Sequence, residues 1–341
     1  MITSKNNVIL RRVSTAVALF TLLAALSSPL QAQALLESYL DSRFADNGGV
    51  QIHYRAAGEG PLVLLIHGFG DYSETWRYLL PELTDSFRVV AIDSRGVNFS
   101  DSPGRMNDYS LTPLLEDILA VAKAETDVGD EVKFTLIGHD LGAAIAWQFA
   151  FTYPEMLTGL VALSMPHPAS YEIDLQVNPD QRHARALYSA LLEPSIAQSL
   201  TPATLAAWVE DDEGRAAYIA ALELSGIESM LHYLRNIDFS SSGGKPSAQL
   251  IVNLPLLLIH GEEDAAVLIS GHEHTFEFVS ADSAMLSIPS AGHRVHHDAK
   301  GQVNGVIRNW LDLHRADVSG STTEKVKGTR TVLPAFRQDR E

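Results

Sequence analysis

Gly138-His139-Asp140-Leu141-Gly142 constrains this chain more than any other stretch. The apolar run Val132-Lys133-Phe134-Thr135-Leu136-Ile137 precedes it, and Ala143-Ala144-Ile145-Ala146-Trp147-Gln148-Phe149-Ala150 follows. The first predicts a buried strand and the second a helix. The two glycines permit a turn too sharp for side chains, the shape of a G-x-nucleophile-x-G elbow. The central residue here is Asp140 rather than serine. A carboxylate is ionised at neutral pH, so it attacks without a base and can displace a leaving group from carbon to form an ester. The competing reading is a loop aspartate that caps the following helix.

Other segments surround the elbow with the same pattern. Pro61–Ile66, Phe87–Asp93, Leu160–Met165, Leu254–Ile259 and Ala284–Ile288 are continuous apolar runs, as expected of strands buried on both faces. Gly49–Arg55 alternates and predicts an antiparallel edge strand. Helices are predicted at Leu111–Ala124 and from Val303 to His314. Between Pro166 and Ala248 the strands stop and helical periodicity takes over, at Ala184–Leu192, Pro202–Val209, Glu213–Leu224 and Ile227–Ile237. The expected architecture is α/β: a mostly parallel, doubly wound sheet of about eight strands with an inserted helical cap. Such a cap lies over the carboxyl ends of the strands, where ligands bind.

The ends read differently. Lys5, Arg11 and Arg12 precede the apolar stretch Val13–Leu26, then Ser27-Ser28-Pro29 and Ala32-Gln33-Ala34. This is the pattern of a secretory signal peptide cleaved after Ala32 or Ala34, and it implies a periplasmic or secreted bacterial protein. The expected division is 1–34 signal peptide, 35–165 first part of the core, 166–250 cap, 251–315 second part of the core, and 316–341 a disordered tail poor in apolar residues. The formal charge is −17, and removal of a leader with three cations and no acid would make it −20. So acidic a chain repels nucleic acid and anionic lipid, so neither is an expected partner, and no stable membrane association is expected once the leader is cut. The sequence is compatible with a homodimer. It has no cysteine, which excludes disulfides and thiolate metal sites.

An elbow nucleophile needs an acid and then a histidine, in that chain order. Asp264 follows the strand Leu254–Ile259, with Glu262 and Glu263 as alternatives. His293 follows Ala284–Ile288 on a glycine-led loop, with His296 and His297 as less favoured bases. The His67-Gly68-Phe69 turn, after Ile66, aims backbone N–H groups at the elbow. The N–H groups of Phe69 and Leu141 are the expected oxyanion hole. His272-Glu273-His274 and His293/His296/His297 could offer metal ligands, but their spacing fits no common site. Neither a metal nor an organic cofactor is expected.

His67-Gly68-Phe69-Gly70, Asp93-Ser94-Arg95-Gly96 with Ser100-Asp101, the elbow, Pro166-His167-Pro168 and Ala291-Gly292-His293 together resemble the α/β-hydrolase superfamily. The resemblance spans about Val50 to Leu313. It is to the branch of epoxide hydrolases and haloalkane or haloacid dehalogenases with an aspartate nucleophile, and it implies an α/β-hydrolase fold. Gly70, where most epoxide hydrolases have proline, is similar to a secreted bacterial epoxide hydrolase group. Leu141 is neither the halide-holding Trp of haloalkane dehalogenases nor the arginine of haloacid types, and Ala144 likewise replaces an arginine. The resemblance therefore implies a small apolar epoxide or halide substrate, with epoxide-to-diol hydrolysis favoured over dehalogenation. Ester or lactone hydrolysis and a non-catalytic binding protein rank lower. It also implies two cap side chains that donate to the epoxide oxygen. Tyr188 (or His183) is the candidate for the first, and Tyr233 or His232 for the second. Leu234 occupies the place directly before Arg235 where the family carries tyrosine.

Overall fold

The computed structural model describes residues 40–237, 250–315 and 330–333. The predicted leader, the 240–244 loop at the cap's exit and most of the predicted tail lie outside the described residues. Strands β1 (Asp41–Asn47), β2 (Val50–Ala57), β3 (Leu62–Ile66), β4 (Arg88–Ile92), β5 (Phe134–His139), β6 (Leu157–Leu163), β7 (Leu256–Gly261), β8 (Ser283–Ile288) and β9 (Arg330–Leu333) form one sheet. Their order is β1-β2-β4-β3-β5-β6-β7-β8-β9. β2 is antiparallel to both β1 and β4, and the other neighbours are parallel.

Two strands were not anticipated. β1 pairs all along β2, so the 49–55 segment is not the edge it was expected to be. The sequence DSRFADN has only Ala45 buried, which leaves no alternation to read. β9 puts four residues of the expected disordered tail into the sheet beside β8. Its Thr331-Val332-Leu333 is the tail's β-branched, apolar stretch, and the outer edge of β8 offers it unpaired backbone groups.

The continuous apolar runs arise because two cores sandwich the sheet. Leu62, Leu64 and Ile66 of β3 join one core, while Val63 and Leu65 join the other. Helices α1 (Leu111–Ala124) and α2 (Leu141–Thr152) cover the first face. Ten consecutive residues of α2, Leu141 to Ala150, are buried, so this helix is apolar all round. The cap leaves the sheet after β6. It comprises α3 (Pro168–Val177), α4 (Pro179–Ser189), α5 (Asp212–Ser225) and α6 (Ile227–Asn236), with single helical turns at Pro194–Ala197 and Pro202–Leu205 between α4 and α5. The helix α3 was not predicted. It starts at Pro168, whose missing N–H costs nothing in a first turn, and the His167 ring accepts from the Ala169 N–H. α7 (Lys300–Leu313) returns to the second face, where Val303, Ile307 and Trp310 pack against β-strand residues such as Leu257 and Ile259.

Candidate active site

Asp140 stands between β5 and α2 with φ 51° and ψ −120°, a conformation costly for a non-glycine residue. The flanking glycines make it attainable. A Cβ on Gly138 would lie 2.5 Å from the Gly142 carbonyl oxygen, and one on Gly142 would lie 2.4 Å from that of Ile66. Gly68 clears space from the other side, since a Cβ there would sit 2.9 Å from the Asp140 Cβ. The Phe69 N–H donates to Asp140 Oδ2 at 2.9 Å. The His67 ring holds that turn: Nδ1–H donates to the Gly68 carbonyl, and Nε2 accepts from the Ser94 N–H. Gly70 has φ 68°, a value proline cannot adopt. Leu141 opens α2, so its N–H has no acceptor within the helix.

Asp264 and His293 converge on this carboxylate. His293 Nε2 lies 3.3 Å from Asp140 Oδ1, and Nδ1 lies 2.8 Å from Asp264 Oδ2. Asp264 Oδ1 accepts from the N–H groups of Ala266 and Val267, at 2.8 and 2.9 Å, which leaves Oδ2 for the imidazole. The alternatives are out of reach. Glu262 is exposed and accepts from Ser287, and Glu263 is exposed. Burial opposes ionisation of Asp140, but the hydrogen bond and charge of His293 outweigh it and hold the carboxyl well below its ordinary range. Burial also opposes charge on His293, yet Asp264 first, and then the hydrogen bonds to Asp140 and Asp264, push it up to about 10. The resting pair is a carboxylate beside an imidazolium.

A pocket of about 270 Å³ opens over Asp140, lined also by Met165, Tyr171, Arg185, Tyr188, Ala266 and Val267. Tyr188 lies one helical turn after Arg185 on α4. Burial, then the charge of Asp140, raises its hydroxyl well above the ordinary value, so it stays protonated. Tyr171, on α3, is pushed up to about 12, chiefly by burial. Gln181 fixes which way its proton points. The Gln181 Oε1 accepts from the Leu268 N–H at 2.8 Å, so its Nε2 is the group that meets the Tyr171 oxygen, at 3.3 Å. The Tyr171 oxygen therefore accepts there, and its proton is free to be donated elsewhere.

The α/β hydrolase fold family matches residues 61–300. Epoxide hydrolase 3 of Xenopus tropicalis is 31% identical over 285 residues, covering 78% of this chain and 76% of that protein. The chain belongs to the α/β-hydrolase family and is epoxide hydrolase-like. The AB hydrolase superfamily protein YfhM of Bacillus subtilis is 30% identical to this hydrolase over 290 residues, covering 79% of this chain and 97% of that protein. The crystal structure of the Bacillus megaterium epoxide hydrolase in complex with an inhibitor superposes with a TM-score of 0.71 at 28% identity, covering 79% of this chain and 100% of that one.

Of the four candidate cap donors of this hydrolase, Tyr233, His232 and His183 do not line the pocket over Asp140. The Tyr233 hydroxyl donates to the Arg95 carbonyl at 2.7 Å, and the ring packs edge-on against Tyr109. His232 also packs against Tyr109 and lies 3.3 Å from Arg235. The reason is geometric: one residue along a helix is a rotation of about 100°. His183 is exposed. Tyr188 is in place. Tyr171 was missed because it lies in a helix that was not predicted.

Sequence reasoning also missed two positioning residues. The His293 carbonyl accepts from His139 Nε2–H at 2.8 Å and from Ser164 Oγ–H at 2.7 Å. Ser164, at the end of β6, has φ 55°, which signals strain spent on placement. His272 and His274, the first pair weighed as metal ligands, are dispersed. His272 is buried on His260, with Nε2 to Nδ1 at 2.9 Å, whereas His274 pairs with Glu277 on the surface.

Proposed function

We propose that this hydrolase opens epoxides to vicinal diols through an ester on Asp140. One observation carries this reading: a buried carboxylate with no serine in its place, facing His293 Nε2 at 3.3 Å and held at Oδ2 by the Phe69 N–H. The similarity to epoxide hydrolases supports the choice of substrate.

In the first step, an Asp140 oxygen bonds to an epoxide carbon as the carbon–oxygen bond of the ring breaks. The departing alkoxide is strongly basic and takes a proton from Tyr188, with Tyr171 as the second donor. Esterification removes the negative charge that stabilised the His293 imidazolium, so its proton leaves and restores the phenol. Neutral His293, oriented by Asp264, then takes a proton from water as the water oxygen attacks the ester carbonyl. The N–H groups of Phe69 and Leu141 stabilise the oxyanion. Collapse breaks the bond from the carbonyl carbon to the diol oxygen, which takes the proton left on the added hydroxyl, and regenerates the carboxylate–imidazolium pair. The reaction adds one water to one epoxide. Ester substrates fit less well, because attack by Asp140 would give an anhydride.

A terminal epoxide and a bromoalkane of equal chain length separate this from dehalogenation. The expected outcome is diol without bromide release, and bromide release without diol would move the assignment to dehalogenase. Tyr188→Phe is expected to slow ring opening by about 10²-fold or more, the range of a lost general acid. Tyr171→Phe should slow it less, and Tyr233→Phe should leave it nearly unchanged. Pre-steady-state esterification rates make the comparison. Equal losses at 188 and 233 would contradict the assignment.

We also propose export through the leader. The mature chain should begin at Gln33 or Leu35, as read by amino-terminal sequencing of protein recovered from outside the cytoplasm. An intact Met1 would oppose it.

A further inference from the structure

Asp71, His139 and His296 form a cluster that the reaction above does not use. Each offers one ligand-type atom, and the three atoms lie within 4.8 Å of one another. They come from three places: the loop after β3, the end of β5, and the helical turn Val295–Asp298 beyond His293. All three side chains are buried, at 1%, 2% and 3% exposure.

Their hydrogen bonds show which atoms are left over. His139 Nε2 faces the His293 carbonyl, which can only accept, so Nε2 carries the proton and Nδ1 is a bare lone pair. His296 Nε2 lies 2.8 Å from the Thr75 hydroxyl, which His297 Nε2 meets at 2.9 Å; with the hydroxyl donating to His297, His296 donates from Nε2 and its Nδ1 is a lone pair. Asp71 spends Oδ1 on the Tyr72 N–H at 3.0 Å. Asp71 Oδ2, His139 Nδ1 and His296 Nδ1 have no hydrogen-bond partner among the described residues. Buried polar atoms are costly when left unmatched.

We propose that Asp71, His139 and His296 bind a divalent transition-metal ion, with zinc the best match. Two imidazole nitrogens and one carboxylate oxygen are a zinc donor set and a poor one for magnesium or calcium, which take oxygen ligands. The outer contacts fit as well. A metal-ligating histidine typically gives its other ring nitrogen to a carbonyl or similar partner, as His139 does to the His293 carbonyl. The neighbouring arginines are turned onto aromatic faces, Arg294 at 4.3 Å over Trp208 and Arg77 at 4.7 Å over Tyr78. Tetrahedral zinc with bonds of about 2.0–2.1 Å needs ligand atoms about 3.4 Å apart, a modest closing of this cluster. Through His139, the ion would brace the loop that carries the catalytic histidine. No step of the reaction runs through it.

The test uses the full chain without a histidine tag, stripped with chelator, supplied with zinc and desalted. Metal analysis should find one zinc per chain, with a raised Tm. In His296→Gln and Asp71→Asn the zinc Kd should rise by about 100-fold or more, since each loses a ligand. His274→Ala, which alters only the surface pair, should retain zinc. Cobalt added to the unaltered chain should give the visible absorption of a four- or five-coordinate nitrogen–oxygen site, which does not depend on the variants folding. No retained zinc and no cobalt spectrum would mean that water alone occupies the cluster, and the proposal would fall. Retention that survives both ligand substitutions would overturn it equally.

Discussion

His293→Gln is expected to stop turnover while leaving the first chemical step in place. The substitution would remove the proposed base that activates water, while the Phe69 N–H still holds Asp140 Oδ2 and the glutamine amide can donate a hydrogen bond in place of the imidazole. The ester should therefore accumulate after mixing with an epoxide, and steady-state turnover should fall by about 10⁴-fold or more, as when a member of a catalytic set is removed. Intact-protein mass spectrometry is the measurement. An added mass equal to the whole substrate reports epoxide opening, and a mass short by hydrogen halide reports displacement of a halide. Peptide mapping should place the adduct on Asp140. The unaltered protein should show little adduct, because His293 clears it.

Asp264→Asn should be nearly as damaging, for a reason the hydrogen bonds specify. Asp264 Oδ1 is held by the N–H groups of Ala266 and Val267. An asparagine would keep its oxygen there and turn its NH₂ toward His293 Nδ1. That nitrogen would have to accept, the ring proton would move to Nε2, and the base would be lost. A wrong tautomer in a comparable set costs about 10⁴-fold in kcat. The imidazole would also lose the largest influence that raises it to about 10, so its titration should fall toward the ordinary histidine value. Rapid-quench kinetics should show one equivalent of esterified enzyme followed by very slow release. Glu262→Gln should behave as wild type. The sign of the stability effect follows from the same shift. The stabilisation from His293 is fully present below its unfolded value near 6.5 and is lost as pH rises through about 10. In Asp264→Asn that alkaline loss should shrink.

Much of this arrangement was legible in the sequence because it rests on local backbone geometry. Gly138 and Gly142 are glycines because no Cβ fits, and that requirement is written as a motif. The apolar runs announced strands that two cores sandwich. Asp264 and His293 each follow a predicted strand, so their meeting at Asp140 followed from chain order. The cap was harder to read. Its helices are short and amphipathic, and whether a tyrosine faces Asp140 or Arg95 depends on a rotation that periodicity does not resolve. Tyr233 went to the Arg95 carbonyl for that reason. Tyr171 sits on α3, opened by a proline turn that reads as a loop. β1 and β9 carry little alternation, so only pairing with β2 and β8 defines them. His139 and Ser164 act through the His293 carbonyl, a contact between residues far apart in the chain.

The central claim is that Asp140 bonds to substrate carbon and water then attacks the Asp140 carboxyl. A single turnover in ¹⁸O-labelled water, with enzyme in excess over a terminal epoxide, tests it most directly. The account predicts a diol with no label from this first turnover, because the added oxygen comes from Asp140, and one ¹⁸O in the Asp140 carboxylate of the recovered peptide. A diol labelled in that first turnover, with an unlabelled Asp140, would show direct attack of water on the epoxide and contradict the account.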